Sequence, residues 1–191
     1  MKIYLTAGHQ VIDGKGTGAH SAYGDEAVQA LRIREDVTAL LRARGVTVFN
    51  EPPADTLSKV INWLRGVTVN ESDVVIDIHF NSAANEKANG TEVIIPEKYS
   101  KGELDLGIEM VKAVTSALGT TARRGKLIHS GVKTEGETAH KAIGILNKPF
   151  RAKNILVEVC FISNYDEMTN KYPTNYRKLI SNIADVICSY A

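Results

Sequence analysis

Two histidines and two glutamates in this sequence carry side chains suited to binding a metal ion and moving protons. His9 follows the first predicted strand by three residues, and His79 lies near the end of a later apolar strand. Glu26 opens the first long predicted helix, and Glu158 interrupts the apolar run 155–161. Because ligands collect beyond the carboxyl ends of the strands in an open α/β sheet, we expect these four residues to meet at one edge.

This combination of side chains predicts a particular chemistry. Two imidazoles and one carboxylate around an open fourth position are the ligands of a catalytic zinc site. A second carboxylate beside such a site can take a proton from the attacking water and return it to a leaving amine. The residue types therefore predict zinc-assisted hydrolysis, without deciding which glutamate is the ligand.

Each of the four residues also has a structural explanation when it is taken alone. A histidine at a strand end is usually a hydrogen-bonded structural residue, and a glutamate in the first turn of a helix favours the helix dipole. Glu158 differs, because a buried carboxylate without a partner is costly in an apolar strand. Glu158 therefore needs a charged neighbour or a chemical task.

Alternating strands and helices must position these residues. Apolar runs predict strands over 2–6, 46–49, 74–80, 91–95, 143–146 and 155–161. Helical periodicity predicts helices over 26–44, 56–69, about 101–118 and at the C-terminus, and Ser100 with Glu103 has capping-box spacing. Because the strands are almost continuously apolar, we expect a single α/β domain over 1–191 with a largely parallel sheet.

Two segments lack a clear apolar period. The first follows His9 and contains Gly14-Lys-Gly-Thr-Gly18, but about twenty residues separate strand from helix, which argues against a dinucleotide-binding loop. The second, 120–141, is polar and long. Long loops in compact domains are usually functional or mobile, so we expect this segment to border a substrate groove.

The composition excludes several classes of function. The 191 residues are 43% hydrophobic and 24% charged with a net charge of +1, so no strong field points to nucleic acid or an anionic membrane. No stretch approaches a membrane span, and the first residues lack the apolar segment of a secretory signal. Cys160 and Cys188 are too few and too far apart for a cysteine-based zinc site.

Six short motifs follow one another from the first strand to the last. They are Thr6-Ala-Gly-His9, Gly24-Asp-Glu26, Asp77-Ile-His-Phe-Asn-Ser82, Asn89-Gly-Thr-Glu-Val93, Arg123-Arg-Gly125 and Leu156-Val-Glu-Val-Cys-Phe-Ile-Ser-Asn164. Their order and context resemble the zinc-dependent N-acetylmuramoyl-L-alanine amidases, a family of bacterial cell-wall amidases and phage endolysin catalytic domains. The resemblance extends from Lys2 to the terminal helix.

The resemblance implies a mixed sheet of about six strands flanked by helices, with one bound Zn²⁺. The metal ligands of the family fall on His9, Glu26 and His79, and its catalytic glutamate falls on Glu158. Asp25 matches less well than Glu26, because Glu26 directly opens the apolar helix. The family pattern usually continues with two glycines after the first histidine, whereas Gln and Val follow it here.

Three further residues are candidate substrate contacts. Asn81 shares one strand face with Asp77 and His79, where an ordinary polar cluster is the alternative explanation. Arg123 or Arg124 is placed to pair with a carboxylate of the stem peptide, although a solvated loop charge explains either residue equally well.

The resemblance also implies a substrate and a place of action. We expect a peptidoglycan hydrolase that cleaves the amide bond between N-acetylmuramic acid and L-alanine in the cell wall or periplasm, as an endolysin or autolysin. A non-hydrolytic peptidoglycan-binding module and a zinc peptidase that cuts within the stem peptide are the alternatives. We expect a monomer that binds no nucleic acid and stays cytoplasmic until it is released, unless a signal has been removed.

Overall fold

The computed structural model describes residues 1–12, 15–53, 56–68, 70–123, 131–146 and 151–191. The strands of this part of the chain are β1 (Ile3–Ala7), β2 (Val11–Ile12), β3 (Lys15–Gly16), β4 (His20–Ser21), β5 (Gly24–Asp25), β6 (Val48–Asn50), β7 (Val74–Asn81), β8 (Glu92–Ile95), β9 (Val132–Thr134) and β10 (Lys153–Phe161). The α-helices are α1 (Glu26–Ala43), α2 (Leu57–Val67), α3 (Lys101–Leu118) and α4 (Tyr172–Tyr190). A 3₁₀ turn over Glu135–Glu137 and a π-helical turn over Glu167–Lys171 complete the set.

Six of the strands form the central sheet, in the order β6-β1-β7-β10-β8-β9. The first four of these run parallel, β8 is antiparallel to β10, and β9 is parallel to β8. The prediction of a mixed, largely parallel sheet flanked by helices is therefore confirmed. The carboxyl ends of β1, β7 and β10 lie at one edge, where β8 and β9 begin.

The two faces of the sheet have different surroundings. Ile76, Ile78 and Phe80 alternate along β7 and pack into the main core with α1, α3 and α4. The opposite face carries a smaller core that includes Val75 of β7 and Leu64 of α2. Further along β7, this second face changes from apolar to polar side chains, because period-two alternation places Asp77, His79 and Asn81 there.

The helix ends follow local sequence signals. The Ser100 hydroxyl accepts a hydrogen bond from the backbone N–H of Glu103 at 3.3 Å, and the Glu103 carboxylate accepts one from the backbone N–H of Ser100 at 2.7 Å. This is the capping box expected from the spacing. Helix α3 ends at Gly119 and α1 ends just before Gly45, and both glycines have positive φ.

The structure corrects one predicted strand and divides one predicted loop. The apolar run Ile143–Leu146 is a turn, in which the backbone N–H of Leu146 donates to the carbonyl of Ile143 at 2.9 Å. Ile145 and Leu146 are nevertheless buried in the smaller core. The run is therefore apolar because it packs into this core, although it does not pair with another strand. The described part of 120–141 contains β9 and the 3₁₀ turn, while 124–130 lies outside the described residues.

The helices differ in length and in apolar content. Across the described ranges, none combines the length and the apolar content that crossing a bilayer requires.

Candidate metal centre

The structure brings His9, Glu26 and His79 together at the carboxyl edge of the sheet. Nε2 of His9 lies 3.1 Å from Oε2 of Glu26, and Nδ1 of His79 lies 2.9 Å from Oε1 of Glu26. One donor atom from each residue lies within 4.8 Å of the other two. Two imidazoles and a carboxylate at such distances are able to share a single metal ion.

Glu26 is held by backbone donors as well as by its position on a helix. It occupies the first turn of α1, where it is buried, and it is brought to β7 by the packing of that helix on the sheet. Its two carboxylate oxygens accept hydrogen bonds from the backbone N–H of Ala19 at 2.9 Å and of Phe80 at 3.2 Å. Asp25, the neighbouring acid, instead lies 2.7 Å from Nδ1 of His20, away from the cluster.

Glycines make room for both imidazole rings. A Cβ atom on Gly8 would collide with the ring of His79, and one on Gly18 would collide with the ring of His9. His9 itself follows β1 with a φ of 64°, a left-handed conformation that few residues other than glycine adopt. Gly18, the last glycine of the Gly-rich segment, thus has a packing role beside His9 that requires no nucleotide.

Asp77 determines which nitrogen of His79 faces Glu26. Its Oδ2 lies 2.9 Å from Nε2 of His79, and its Oδ1 accepts a hydrogen bond of 2.7 Å from the Thr6 hydroxyl. With Nε2 occupied by a buried carboxylate, Nδ1 is the nitrogen left for the cluster. Carboxylates commonly orient metal-binding histidines in this way.

The buried charges of the cluster shift one another. Burial raises the pKa of Glu26, but hydrogen bonds from His79 and His9 outweigh burial and hold that pKa well below its usual value. Burial lowers the pKa of His79, but the carboxylates of Asp77 and Glu26 outweigh it and raise that pKa well above its usual value. The cluster therefore favours a cation beside Glu26.

Glu158 lies next to this cluster on the neighbouring strand. In register it pairs with His79 of β7 on one side and with Glu92 of β8 on the other. One of its carboxylate oxygens, Oε2, is buried and has no hydrogen-bond partner. Burial raises the pKa of Glu158 to about 8, although His79 acts in the opposite direction. Glu158 is thus a carboxyl group with a free oxygen at the edge of the candidate site.

Glu92 is a member of this polar face that the sequence analysis missed as a site residue. Its carboxylate contacts Lys133 and accepts hydrogen bonds from Nδ2 of Asn81 at 2.7 Å and from Nε of Arg123 at 3.1 Å. The available signal was the one that singled out Glu158, namely a carboxylate in an otherwise apolar strand.

Of the two arginines predicted as substrate contacts, the structure describes only Arg123. Arg123 stacks over Phe161 with its guanidinium carbon 4.6 Å from the ring centre, and it donates to the carbonyl of Asn89 at 2.9 Å. Its side chain is one third exposed. Arg124 lies outside the described residues. A substrate contact through Asn81 or Arg123 stays a prediction.

Comparison with known families shows the family to which the chain belongs. A family model described as N-acetylmuramoyl-L-alanine amidase matches residues 3–189. The chain belongs to this amidase family. A search among curated proteins found no match of comparable significance.

Solved amidase structures share the fold over almost the whole chain. The catalytic domain of CwlV, an N-acetylmuramoyl-L-alanine amidase from Bacillus (Paenibacillus) polymyxa, aligns with a TM-score of 0.75 at 22% identity, covering 100% of this chain and 98% of that one. A putative N-acetylmuramoyl-L-alanine amidase from Neisseria meningitidis aligns with a TM-score of 0.74 at 27% identity, covering 98% and 94%. An endolysin catalytic domain targeting Clostridia difficile aligns with a TM-score of 0.72 at 19% identity, covering 99% and 97%.

Proposed function

We propose that this member of the amidase family hydrolyses the N-acetylmuramoyl–L-alanine bond of peptidoglycan with one zinc ion held by His9, Glu26 and His79. The observation that carries the proposal is the position of Glu158, whose unpartnered carboxylate oxygen lies beside the three-residue cluster. A hydrolase needs such a group to move a proton, and a binding module does not.

The residues of the cluster fit a zinc ion. They supply two nitrogens and one carboxylate, which is the donor set of many catalytic zinc sites. Asp77 orients His79, and the glycines at 8 and 18 leave room for the two rings beside Glu26. When bound, zinc would act as a Lewis acid that polarises the scissile carbonyl and makes a nearby water more acidic.

Glu158 accounts for the proton transfers. It accepts a proton from the attacking water while the carbonyl carbon is attacked, and it then donates that proton to the nitrogen of the departing L-alanine. A pKa raised towards neutrality suits both steps, because the group has to hold a proton briefly and release it again. The hydrogen-bonded Asp77 and Thr6 keep the neighbouring imidazole in place during these steps.

The substrate contacts and the place of action belong to the same proposal. Asn81, Arg123 and Arg124 contact the stem peptide, and the protein acts as a monomer on the cell wall or in the periplasm. The complete set of a metal-binding cluster and a free carboxylate favours hydrolysis over a non-hydrolytic module. A cut within the stem peptide would use the same groups, and the identity of the products distinguishes it.

Metal analysis combined with hydrolysis of a muramoyl peptide tests the proposal. The protein purified under mild conditions should carry one zinc per chain and should release peptide with a free L-alanine amine. A chelator should remove both the zinc and the activity, and added zinc should restore them. Stoichiometric zinc in a His9→Ala, His79→Ala double variant would overturn the ligand assignment.

A further inference from the structure

A cavity of about 290 Å³ adjoins the metal centre on the side of β1. One wall consists of residues at the carboxyl edge of the sheet, including His9, His79 and Asp77. The other wall belongs to neither the sheet nor the metal cluster and is mainly apolar, since it contains Leu57, Val60, Ile143 and Ile145 beside Thr56. The volume is close to the lower end of the range for small-ligand sites, so the cavity has room for a small part of a ligand rather than for a large molecule.

The apolar wall is built where α2 meets the turn that contains Ile143. A Cβ atom on Gly144 would lie 2.9 Å from Leu57, so this glycine lets the turn pack directly against the start of the helix. Leu57 is 51% exposed, so its side chain is accessible to a ligand from solvent. Asp77, the acid in the opposite wall, is already hydrogen-bonded to His79 and Thr6. The cavity therefore suits an uncharged group with methyl substituents.

The position of Glu158 orients the substrate relative to this cavity. The strand order places β7 between β1 and β10, so Glu158 and the cavity lie on opposite sides of His79. Because Glu158 delivers its proton to the leaving amine, that amine and the peptide behind it lie on the β10 side. The acyl half of the scissile bond then lies on the β1 side, next to the cavity.

The charges on the β10 side match this orientation. Arg123 and Lys133 both contact Glu92 there, so two cationic side chains lie next to the strands that carry Glu92 and Glu158. A stem peptide carries free carboxylates, whereas the acyl half of the bond is an uncharged lactyl ether on an N-acetylated sugar. The apolar β1 side of the centre thus matches the uncharged acyl half of the substrate, and the charged β10 side matches the charged peptide half.

We propose that the cavity beside β1 is the subsite for the muramoyl half of the substrate, with the lactyl and N-acetyl methyl groups against Leu57, Val60 and Ile143. The stem peptide leaves across β10 and β8. This inference rests on the proposed function, because it uses Glu158 as the donor to the leaving amine.

A binding measurement tests the subsite without relying on turnover. N-acetylmuramic acid and the tripeptide L-Ala-D-Glu-L-Lys are titrated separately into the zinc-loaded protein labelled at leucine, valine and isoleucine methyl groups. N-acetylmuramic acid should shift the methyl signals of Leu57, Val60 and Ile143, and the tripeptide should leave them unchanged. Shifts of these signals by the tripeptide alone would reverse the orientation, and shifts by neither compound would remove the subsite.

A pair of matched variants tests whether Leu57 acts on the acyl half. Leu57→Ser removes an exposed apolar side chain from the cavity wall, and Val28→Ser removes one from an exposed position on α1, where it lines none of the cavities described. Since burial of one methylene changes affinity by about fourfold, we expect Leu57→Ser to raise KM for a muramoyl tripeptide about fivefold, with kcat little changed. Val28→Ser should leave both constants unchanged.

An analogue distinguishes a local contact from a general loss of fit. With a substrate whose muramoyl group is replaced by an acetyl group, the KM difference between wild type and Leu57→Ser should disappear. If the difference persists with that analogue, or disappears only when the peptide is shortened, the assignment of the cavity is wrong. If the wild-type protein binds N-acetylmuramic acid at Leu57 but cleaves no substrate, the subsite stands and the hydrolytic function fails.

Discussion

Replacing Glu158 by glutamine separates its chemical role from its effect on the fold. A glutamine at this position has nearly the same shape as the glutamate but is unable to carry the proton from water to the leaving amine. General acid–base catalysis is typically worth about 10² to 10⁴ in rate. We therefore expect Glu158→Gln to lower kcat on a muramoyl peptide by at least about 10², while zinc content stays at one per chain.

The same substitution should change how the stability of the metal-free protein depends on pH. Folding raises the pKa of Glu158 from its ordinary 4.5 to about 8. The folded state therefore holds this proton more tightly than the unfolded state. The stabilisation of the fold by this proton is complete below about pH 4.5 and is lost as the pH rises through 8. At about 1.4 kcal/mol per pKa unit, the free energy of unfolding would fall by at most about 5 kcal/mol over this range of pH. Because the side chain is partly exposed, we expect a smaller loss of about 2 kcal/mol.

Urea unfolding of the chelated proteins measures this difference. Wild type and Glu158→Gln are compared at pH 5 and pH 9, so that other titrating groups cancel in the comparison. From pH 5 to pH 9, the free energy of unfolding of the variant should rise by about 2 kcal/mol relative to that of wild type. Bound zinc should make this relative rise smaller. A parallel pH dependence of the two proteins would contradict the raised pKa of Glu158, and activity within a few-fold of wild type would contradict its role in proton transfer. Loss of zinc in Glu158→Gln would instead make Glu158 a ligand.

Other substitutions test how the centre and the fold are held. Asp77→Asn removes the carboxylate that orients His79, so zinc affinity measured by competition with a chelator should fall about 10- to 100-fold while the melting temperature of the metal-free protein changes little; unchanged affinity would contradict the orienting role. Gly8→Ala places a methyl group against the ring of His79 and should also weaken zinc binding. The control variant Gly66→Ala has open space at its Cβ position, so it should leave zinc binding unchanged and stabilise α2 by up to about 1 kcal/mol. Equal zinc affinities in the two variants would argue against the packing role of Gly8. Ser100→Ala breaks the capping box and should cost about 1 kcal/mol in urea unfolding without changing activity, and no loss of stability would mean that the cap contributes nothing.

The polar face of the sheet was partly predictable because strand periodicity is local. Alternation along β7 is enough to place Asp77, His79 and Asn81 on one side of a strand. The meeting of His9 with Glu26 was expected only from strand ends and from the ordered motifs, since the two residues are 17 positions apart in the chain. The proximity that the structure shows agrees with that expectation, and the ligand roles remain a proposal.

Features that depend on pairing between distant strands were not predictable. Glu92 joins the site because β8 is antiparallel to β10, which brings its first residue to the edge where β10 carries Glu158. The apolar run 143–146 predicts a strand that does not form, because a short apolar run has no period that separates a strand from a packed turn. That turn supplies half of the apolar cavity wall, so the cavity also had no sequence signature.

The mass spectrum of digested peptidoglycan shows which bond the protein cleaves. The zinc-loaded protein is incubated with purified sacculi, and the soluble products are compared with those of Glu158→Gln. We expect intact stem peptides that begin with a free L-alanine amine, together with glycan strands that carry free lactyl carboxylates, and we expect neither product from the variant. Peptides cut between their own residues, or binding to sacculi with no release of peptide, would contradict this expectation.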